Sequence, residues 1–343
     1  MRYILRFFGF IITFLLWVSV FAQQDPQFSH FYFSKQYTNP GYTGVEGVTR
    51  ATLIHRSQWL GYSGADGGGA PTTQLLSLTY PLKIGASPLV NSGVGLNVVY
   101  DQLGPQQNIQ ARLSYAYHLA FSNGGTLSLG LNAGIYSQKI DQGKLRPIDQ
   151  DDAVVNNLGD NQIRPDLGIG IWYNTRKYFA GVSMSHINAP TFDFNVSNNN
   201  PESILSRHFY ITGGYNLQLG PVIVLTPTAI IQTDFSETNF AYGLIGSYNN
   251  YKYWGGITLR QSITAKPVDN STKKWDNDDI TVLIGIGLLD QNKLRIGYAI
   301  DIVTSGVNAK ASTSHEIMLS YVLPFGGDVK PPPLRTPRYR HEN

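Results

Sequence analysis

The chain has 343 residues, no cysteine, a formal net charge of +3 and only 14% charged residues, well below the roughly 25% of an ordinary soluble domain. Without cysteine it is neither a lipoprotein nor a disulfide-stapled secreted domain, and it holds no thiolate metal site. The positive charge concentrates at the two ends of the chain, and the nearly neutral remainder excludes nucleic acid as a partner.

The first 22 residues have the pattern of a signal peptide. Arg2 and Arg6 precede an apolar run over residues 7–20, and Val20-Phe21-Ala22 closes it with a small-residue cleavage pattern. The alternative is a transmembrane anchor, but the run is short for a spanning helix and no stop-transfer charges follow it. The pattern therefore predicts a signal peptide over residues 1–22 that is removed during export.

Residues 23–47 form a separate N-terminal segment that is crowded with aromatic rings. Its stretch DPQFSHFYFSKQYTNPGYTG, residues 25–44, holds six of them. The stretch is too polar to cross a membrane as a helix and does not alternate like a strand. Such ring density predicts that another part of the molecule buries it.

A period-two pattern follows and is clearest over residues 125–137. Leu127, Leu129, Leu131 and Ile135 share one face, while small or polar residues occupy the other. Low charge, abundant glycine and tyrosine, and no second long apolar run are typical of an all-β transmembrane antiparallel barrel. We assign the barrel to residues 48–325.

The pattern predicts about fourteen strands, each long enough to cross a bilayer at a tilt. They cover residues 48–58, 72–82, 92–101, 107–119, 125–137, 165–175, 177–187, 206–218, 222–234, 239–249, 252–262, 279–290, 293–304 and 313–323.

The lengths of the connections support a barrel over a soluble β-sandwich. Long polar loops follow the fifth, seventh and eleventh predicted strands, whereas brief turns follow most even-numbered strands. Outer-membrane barrels have short periplasmic turns and longer extracellular loops. The alternation predicts that both termini lie in the periplasm.

The sequence offers no convincing catalytic, cofactor or metal site. The seven histidines are not at metal-ligand spacing, no nucleophile elbow is present, and Gly-x-Gly pairs such as Gly168 with Gly170 lie inside predicted strands. We therefore predict a non-enzymatic protein without a cofactor. Two acidic clusters on predicted outer loops would bind calcium or simply be solvated; they comprise Asp149, Asp151 and Asp152, and Asp276, Asp278 and Asp279.

Five charged residues fall on the polar faces of predicted strands. A charge facing lipid near the midplane would cost about 2 to 4 kcal/mol for arginine, so these side chains are predicted to face the lumen. They would line a conduit, hold a plug or pair with one another. The candidates are Arg112, Arg260, Arg295, Asp301 and Glu316.

Several short motifs, in this order, resemble the PorP/SprF family of the type IX secretion and gliding machinery. Asp25-Pro26-Gln27-Phe28-Ser29 is followed by Asn39-Pro40-Gly41-Tyr42 and then by Arg56, Gln58, Trp59 and Gly61. The other matching motifs are Ala70-Pro71-Thr72 with Gln74, Asp101 with Gly104-Pro105, PDLGIGIWY from Pro165, and HEIMLSYVLPF from His315.

The resemblance implies an outer-membrane barrel that assists export and surface anchoring of adhesins carrying a C-terminal sorting domain, or that couples the membrane to periplasmic secretion-ring lipoproteins. A passive porin or hydrophobic-solute transporter is the alternative. A barrel hydrolase would need a nucleophile, histidine and carboxylate at the outer rim, and the sequence suggests no such set.

Two hypotheses remain for the aromatic segment. It folds into the lumen as a plug or mouth lining, or its rings form an exposed periplasmic dock for a partner. The candidate residues are Asp25, Pro26, Phe28, Phe31, Phe33, Tyr37, Asn39, Pro40, Gly41, Tyr42, Arg56 and Trp59. The Pro-rich basic tail, residues 326–343, is predicted to be extended in the periplasm as a linker or a docking peptide.

Overall fold

The computed structural model of the protein describes residues 25–61, 69–84, 91–122, 124–144, 161–192, 203–264, 275–304 and 313–324. The predicted signal peptide, the acidic cluster at Asp149 to Asp152 and the basic tail lie outside these residues. In the part of the chain that is described, no helix has the length and apolar character needed to cross a membrane.

The described chain is almost entirely β-structure. One four-residue helix spans Lys35–Thr38, and 3₁₀ turns span Pro40–Tyr42, Gln142–Lys144 and Asp290–Asn292. The strands are β1 (Arg50–Ser57), β2 (Thr72–Leu82), β3 (Ser92–Leu103), β4 (Gln106–Ala120), β5 (Thr126–Ile140), β6 (Gln162–Asn174), β7 (Tyr178–Ser185), β8 (Thr191–Phe192), β9 (Ser203–Ile204), β10 (His208–Tyr215), β11 (Leu217–Leu219), β12 (Ile223–Thr233), β13 (Glu237–Tyr248), β14 (Tyr253–Thr264), β15 (Trp275–Leu288), β16 (Leu294–Val303) and β17 (Ser314–Val322).

Fourteen of these strands close into an antiparallel barrel, as the sequence predicted. Neighbours along the chain pair with one another, β10 pairs with β12, and β17 returns to pair with β1. The short strands β8 and β9 pair separately within one connection, and β11 extends the edge of β12. The strand predicted over residues 206–218 appears as β10 and β11, which are separated by Asn216 and pair with β12 in one continuous register.

The barrel buries polar side chains and exposes apolar ones, the reverse of a soluble protein. Along β4 the polar side chains of Gln110, Arg112 and Ser114 are buried, while Ile109 and Leu113 are exposed. The alternation repeats around the wall, because successive side chains on a strand point to opposite faces. The outward face is therefore an apolar band suited to lipid, and the inward face is a polar lumen.

The two rims of the barrel differ. The connections over residues 141–161, 186–207 and 265–274 all join strands at one rim, which we call the loop end. The opposite rim, the turn end, is where β1 begins and β17 finishes. The N-terminal segment, defined here as residues 25–49, runs inside the barrel from near the loop end to the turn end, where it enters β1.

Candidate functional site

The N-terminal segment fills the lumen at mid-height with buried aromatic rings. Phe28 packs edge-on against Tyr37 at 5.3 Å between ring centroids, and Phe31 packs against Tyr210 and the neighbouring wall. Phe33 lies 4.4 Å from Trp254 between ring centroids. The plug hypothesis placed Phe28, Phe31, Phe33 and Tyr37 against the lumen wall. In the structure Phe28, Phe31 and Tyr37 are buried and Phe33 is partly buried.

The next part of the segment turns tightly against a wall thinned by glycines. The Asn39 side-chain amide donates to the backbone carbonyl of Ile171 at 3.0 Å, and its Oδ1 accepts from the Gly41 amide at 2.8 Å. A Cβ added at Gly130 would lie 2.3 Å from backbone atoms of Pro40 and Gly41. The Asn39-Pro40-Gly41 turn therefore fits only where the facing strand carries no side chain.

Tyr42 completes this contact. Its ring packs on Trp172 at 5.0 Å between ring centroids, and its hydroxyl donates to Glu46 Oε1 at 2.8 Å.

Sequence reasoning did not single out Lys35, whose ammonium lies 3.8 Å from the Tyr32 ring centroid and 4.4 Å from that of Phe179. Burial lowers the pKa of Lys35. The two rings provide the favourable contact with the cation that water would otherwise supply.

One cluster of charged wall residues, the arginine anchor, holds residues 29 and 30 of the segment. Arg56 contacts Asp301 at 2.6 Å and Glu316 at 3.4 Å, and it donates to Ser29 Oγ at 2.7 Å. Glu316 accepts the backbone amides of Ser29 and His30, each at 2.8 Å. All five residues are buried. The wall and the segment therefore share one network of charge-assisted hydrogen bonds.

The remaining predicted lumen charges are also directed inward, and they do different work. Arg260 pairs with Asp279 at 2.8 Å within the wall. Arg112 donates to the backbone carbonyl of Tyr37 at 3.2 Å. Arg295 lies over the Tyr251 ring at 4.3 Å from its centroid. Arg260 thus pairs within the wall, Arg112 contacts the N-terminal segment and Arg295 contacts a ring of the wall.

A second cluster, the histidine anchor, holds the first described residue of the segment. The Asp25 carboxylate contacts His186 Nε2 at 2.8 Å and accepts from the Tyr210 hydroxyl. The Asp25 amide donates to His208 Nε2 at 3.1 Å, and the Gln232 side chain donates to the Asp25 carbonyl at 3.1 Å. Every polar group of Asp25 therefore has a partner in the wall or its loop.

Two of these groups have shifted pKa values. Burial by itself would lower the pKa of His186, but the carboxylates of Asp25 and Asp166 outweigh it and raise the pKa to about 9. Burial would raise the pKa of Asp25, and the positive charge of His186 instead holds it well below its usual range. His186 is therefore an imidazolium between two carboxylates at neutral pH.

The histidine anchor has no signature in the sequence, because its members come from distant segments. Asp25, His186 and His208 meet only after the barrel closes and the N-terminal segment enters it. The motif beginning Asp25-Pro26 was the one available signal. It marked Asp25 but gave no indication of its partners.

A cavity of about 340 Å³ opens above the N-terminal segment toward the loop end. Pro26 and Trp59 lie in its lining, and the Trp59 amide donates to Ser314 Oγ at 3.2 Å.

Of the two acidic clusters that were candidates for calcium binding, the one formed by Asp276, Asp278 and Asp279 lies at the start of β15. Asp279 forms an ion pair with Arg260, and Asp278 accepts a hydrogen bond from the Ser262 hydroxyl at 3.2 Å.

The chain resembles solved structures in overall architecture. A FadL homologue from Pseudomonas aeruginosa matches with a TM-score of 0.48 and 10% identity, over 84% of this chain and 94% of that one. The toluene transporter TbuX from Ralstonia pickettii matches with a TM-score of 0.47 and 10% identity, over 84% and 93%. At these values the similarity carries no information about function. Among curated proteins, none matches the chain.

The sequence itself matches a family described as type IX secretion system membrane protein PorP/SprF, over residues 20–321. This range includes the N-terminal segment, both anchors and all but the last residue of the barrel wall. The chain therefore belongs to the PorP/SprF family of type IX secretion system membrane proteins.

Proposed function

We propose that the protein is a plugged, non-enzymatic outer-membrane barrel of the type IX secretion and gliding machinery, which anchors or couples other proteins and does not conduct solutes. The observation that carries the proposal is the N-terminal segment, which lies across the lumen and is tied to the wall by buried charges at Ser29 and Asp25. One gap between the segment and the wall has a volume of about 30 Å³.

The proposal assigns four regions to the chain. Residues 1–22 are a signal peptide, residues 23–47 the plug, residues 48–325 the barrel and residues 326–343 a periplasmic tail. The loop end faces the cell surface and the turn end the periplasm, in keeping with the longer extracellular loops of such barrels. In this orientation the first described residue, Asp25, lies toward the cell surface, so the end of β17 lies on the periplasmic side but the start of the N-terminal segment does not, unlike the expectation that both termini are periplasmic.

The partners follow from the family and from this orientation. Secreted adhesins with a C-terminal sorting domain would be held at the loop end, where the cavity above the plug combines Trp59 with the charges of Arg260 and Asp278. Aromatic and arginine side chains are typical of the centres of binding interfaces. Periplasmic secretion-ring lipoproteins would contact the turn end and the tail.

Planar-bilayer recordings and affinity purification test this function together. The wild-type barrel should give no steady large conductance, because the segment blocks the lumen, and it should co-purify with a sorting-domain protein from native membranes. A variant lacking residues 25–44 provides the comparison and should conduct. A steady large pore in the wild-type protein, with no protein cargo, would instead support the passive porin or hydrophobic-solute transporter.

Protease protection tests the plug itself. Residues 25–44 should resist cleavage in the detergent-purified barrel, because their side chains are buried against the wall. Rapid cleavage within this stretch would favour the exposed periplasmic dock. A cleavage site inserted at the Gly104 turn between β3 and β4 gives a positive control for protease activity.

A further inference from the structure

We propose that Asp25, His186 and His208 form a binding site for a divalent transition-metal ion of the zinc class. One carboxylate oxygen of Asp25 and one ring nitrogen of each histidine lie within 4.8 Å of one another. All three residues are buried, with 4%, 0% and 1% of their surface exposed. The site goes beyond the proposed function and does not depend on it, since it concerns only how residue 25 is held.

The orientation of both histidines supports a metal site. His186 directs Nδ1 to the Asp166 carboxylate at 2.8 Å, and His208 directs Nδ1 to the backbone carbonyl of Ser206 at 3.0 Å. Both Nε2 atoms therefore point to Asp25. Histidines that bind metals nearly always donate their second ring nitrogen to a carboxylate or a backbone carbonyl, and here each histidine has one of these two supports.

The type of ligand selects the type of metal. Two imidazoles and one carboxylate suit zinc, copper, nickel and iron, whereas calcium and magnesium take oxygen ligands. Three protein ligands are also the number that zinc sites use when the fourth position is left to water or another donor. The second Asp25 oxygen is oriented by the Tyr210 hydroxyl, which fixes the carboxylate in place.

Metal binding exchanges one set of contacts for another. In the structure His186 Nε2 lies 2.8 Å from Asp25 Oδ1, and the Asp25 amide donates to His208 Nε2. An ion bound at about 2.0 to 2.2 Å from each ligand atom takes the place of the proton on His186 Nε2, which passes to solvent. The Asp25 amide turns away from His208, and the lone pair of His208 Nε2 then faces the ion.

Titration with Zn²⁺ tests the site in the mature full-length barrel. The protein is purified without a polyhistidine tag, stripped with a chelator and titrated by isothermal calorimetry. We expect one ion per chain, and Co²⁺ at the same site should give the visible absorption of a low-coordinate complex. His186→Ala and His208→Ala should each weaken binding at least tenfold. His118→Ala removes a buried lumen histidine that hydrogen-bonds to Ser128, and this control should leave binding unchanged.

Asp166→Asn keeps the result interpretable if a histidine variant fails to fold. It preserves the side-chain shape, removes the charge behind His186 and replaces one of the two oxygens that accept from His186 and Gln110 with an amide donor, so binding should weaken by about 10- to 100-fold. Heat-modifiable mobility on a gel verifies that each barrel is folded. Absence of one-to-one binding by the stripped wild type, or binding unaffected by the His186, His208 and Asp166 variants, would overturn the proposal.

Discussion

The two anchors of the N-terminal segment lie a few residues apart in the chain and use different chemistry. At the arginine anchor, Arg56 and two wall carboxylates hold Ser29 and His30. At the histidine anchor, His186 and His208 hold Asp25. A guanidinium stays charged at any physiological pH, whereas an imidazolium depends on a proton that a base or a metal removes. The first anchor is therefore permanent and the second is exchangeable.

The largest effect should come from breaking the arginine anchor with Glu316→Ala. This change removes the acceptor of two backbone amides and leaves Arg56 with one carboxylate partner fewer. Breaking a buried ion pair costs about 3 to 5 kcal/mol, measurable as a lower midpoint of urea unfolding. Glu46→Ala is the matched control, since Glu46 also pairs with an arginine but is 30% exposed. An exposed pair contributes about 0 to 1 kcal/mol. Equal losses in both variants would contradict the buried role of Glu316.

Asp25→Ala should release the histidine anchor alone. It removes hydrogen bonds to His186 and Tyr210, worth about 1.5 to 3 kcal/mol for charged groups. Hydrogen exchange read by mass spectrometry should show loss of protection near residues 25–28, with residues 29–38 still protected. If protection is lost along the whole segment, the two anchors are one cooperative unit and the comparison fails.

Gly130→Ala tests whether the Asn39-Pro40-Gly41 turn requires a glycine in the strand that faces it. The added methyl would lie 2.3 Å from the backbone of Gly41, and overpacking of this kind costs about 1 to 3 kcal/mol. Thermal unfolding measures the loss. Gly213→Ala serves as the control, because the nearest atom would be 3.7 Å away, and its midpoint should stay near that of the wild type. A stable Gly130→Ala barrel with a protected turn would contradict the observed fit.

The smallest effect should be that of pH on the chelator-treated protein. The pKa of His186 is raised to about 9, above its ordinary 6.5, so its contribution is fully present below pH 6.5 and is lost as pH rises through 9. Protection near residue 25, taken relative to the intrinsic exchange rate at each pH because that rate itself rises with pH, should fall over that window, but less than in Asp25→Ala, since Tyr210 and Gln232 still hold Asp25. A His186→Gln variant should show no such step. Protection that is constant from pH 6.5 to 9.5 would contradict the protonated anchor.

Sequence reasoning located the wall closely and the anchors only in part. Predicted strands such as 72–82 and 293–304 match β2 and β16 to within a residue, because the alternation of apolar and polar residues is a property of each strand's own sequence. Arg112, Asp301 and Glu316 were assigned to the lumen because an outward charge would face lipid. Their partners on the N-terminal segment were not predictable, since Ser29 and His30 carry no pattern that points to a particular strand.

The sequence by itself determined the closed barrel, its lipid-facing band and the inward direction of its charges, because side-chain alternation and membrane energetics act residue by residue. Only the tertiary structure decided which distant residues meet across the lumen. Asp25 reaches His186 and His208 through the register of the strands, the closure of β17 onto β1 and the path of the N-terminal segment. These are properties of the whole closed wall, and no local stretch of sequence contains them.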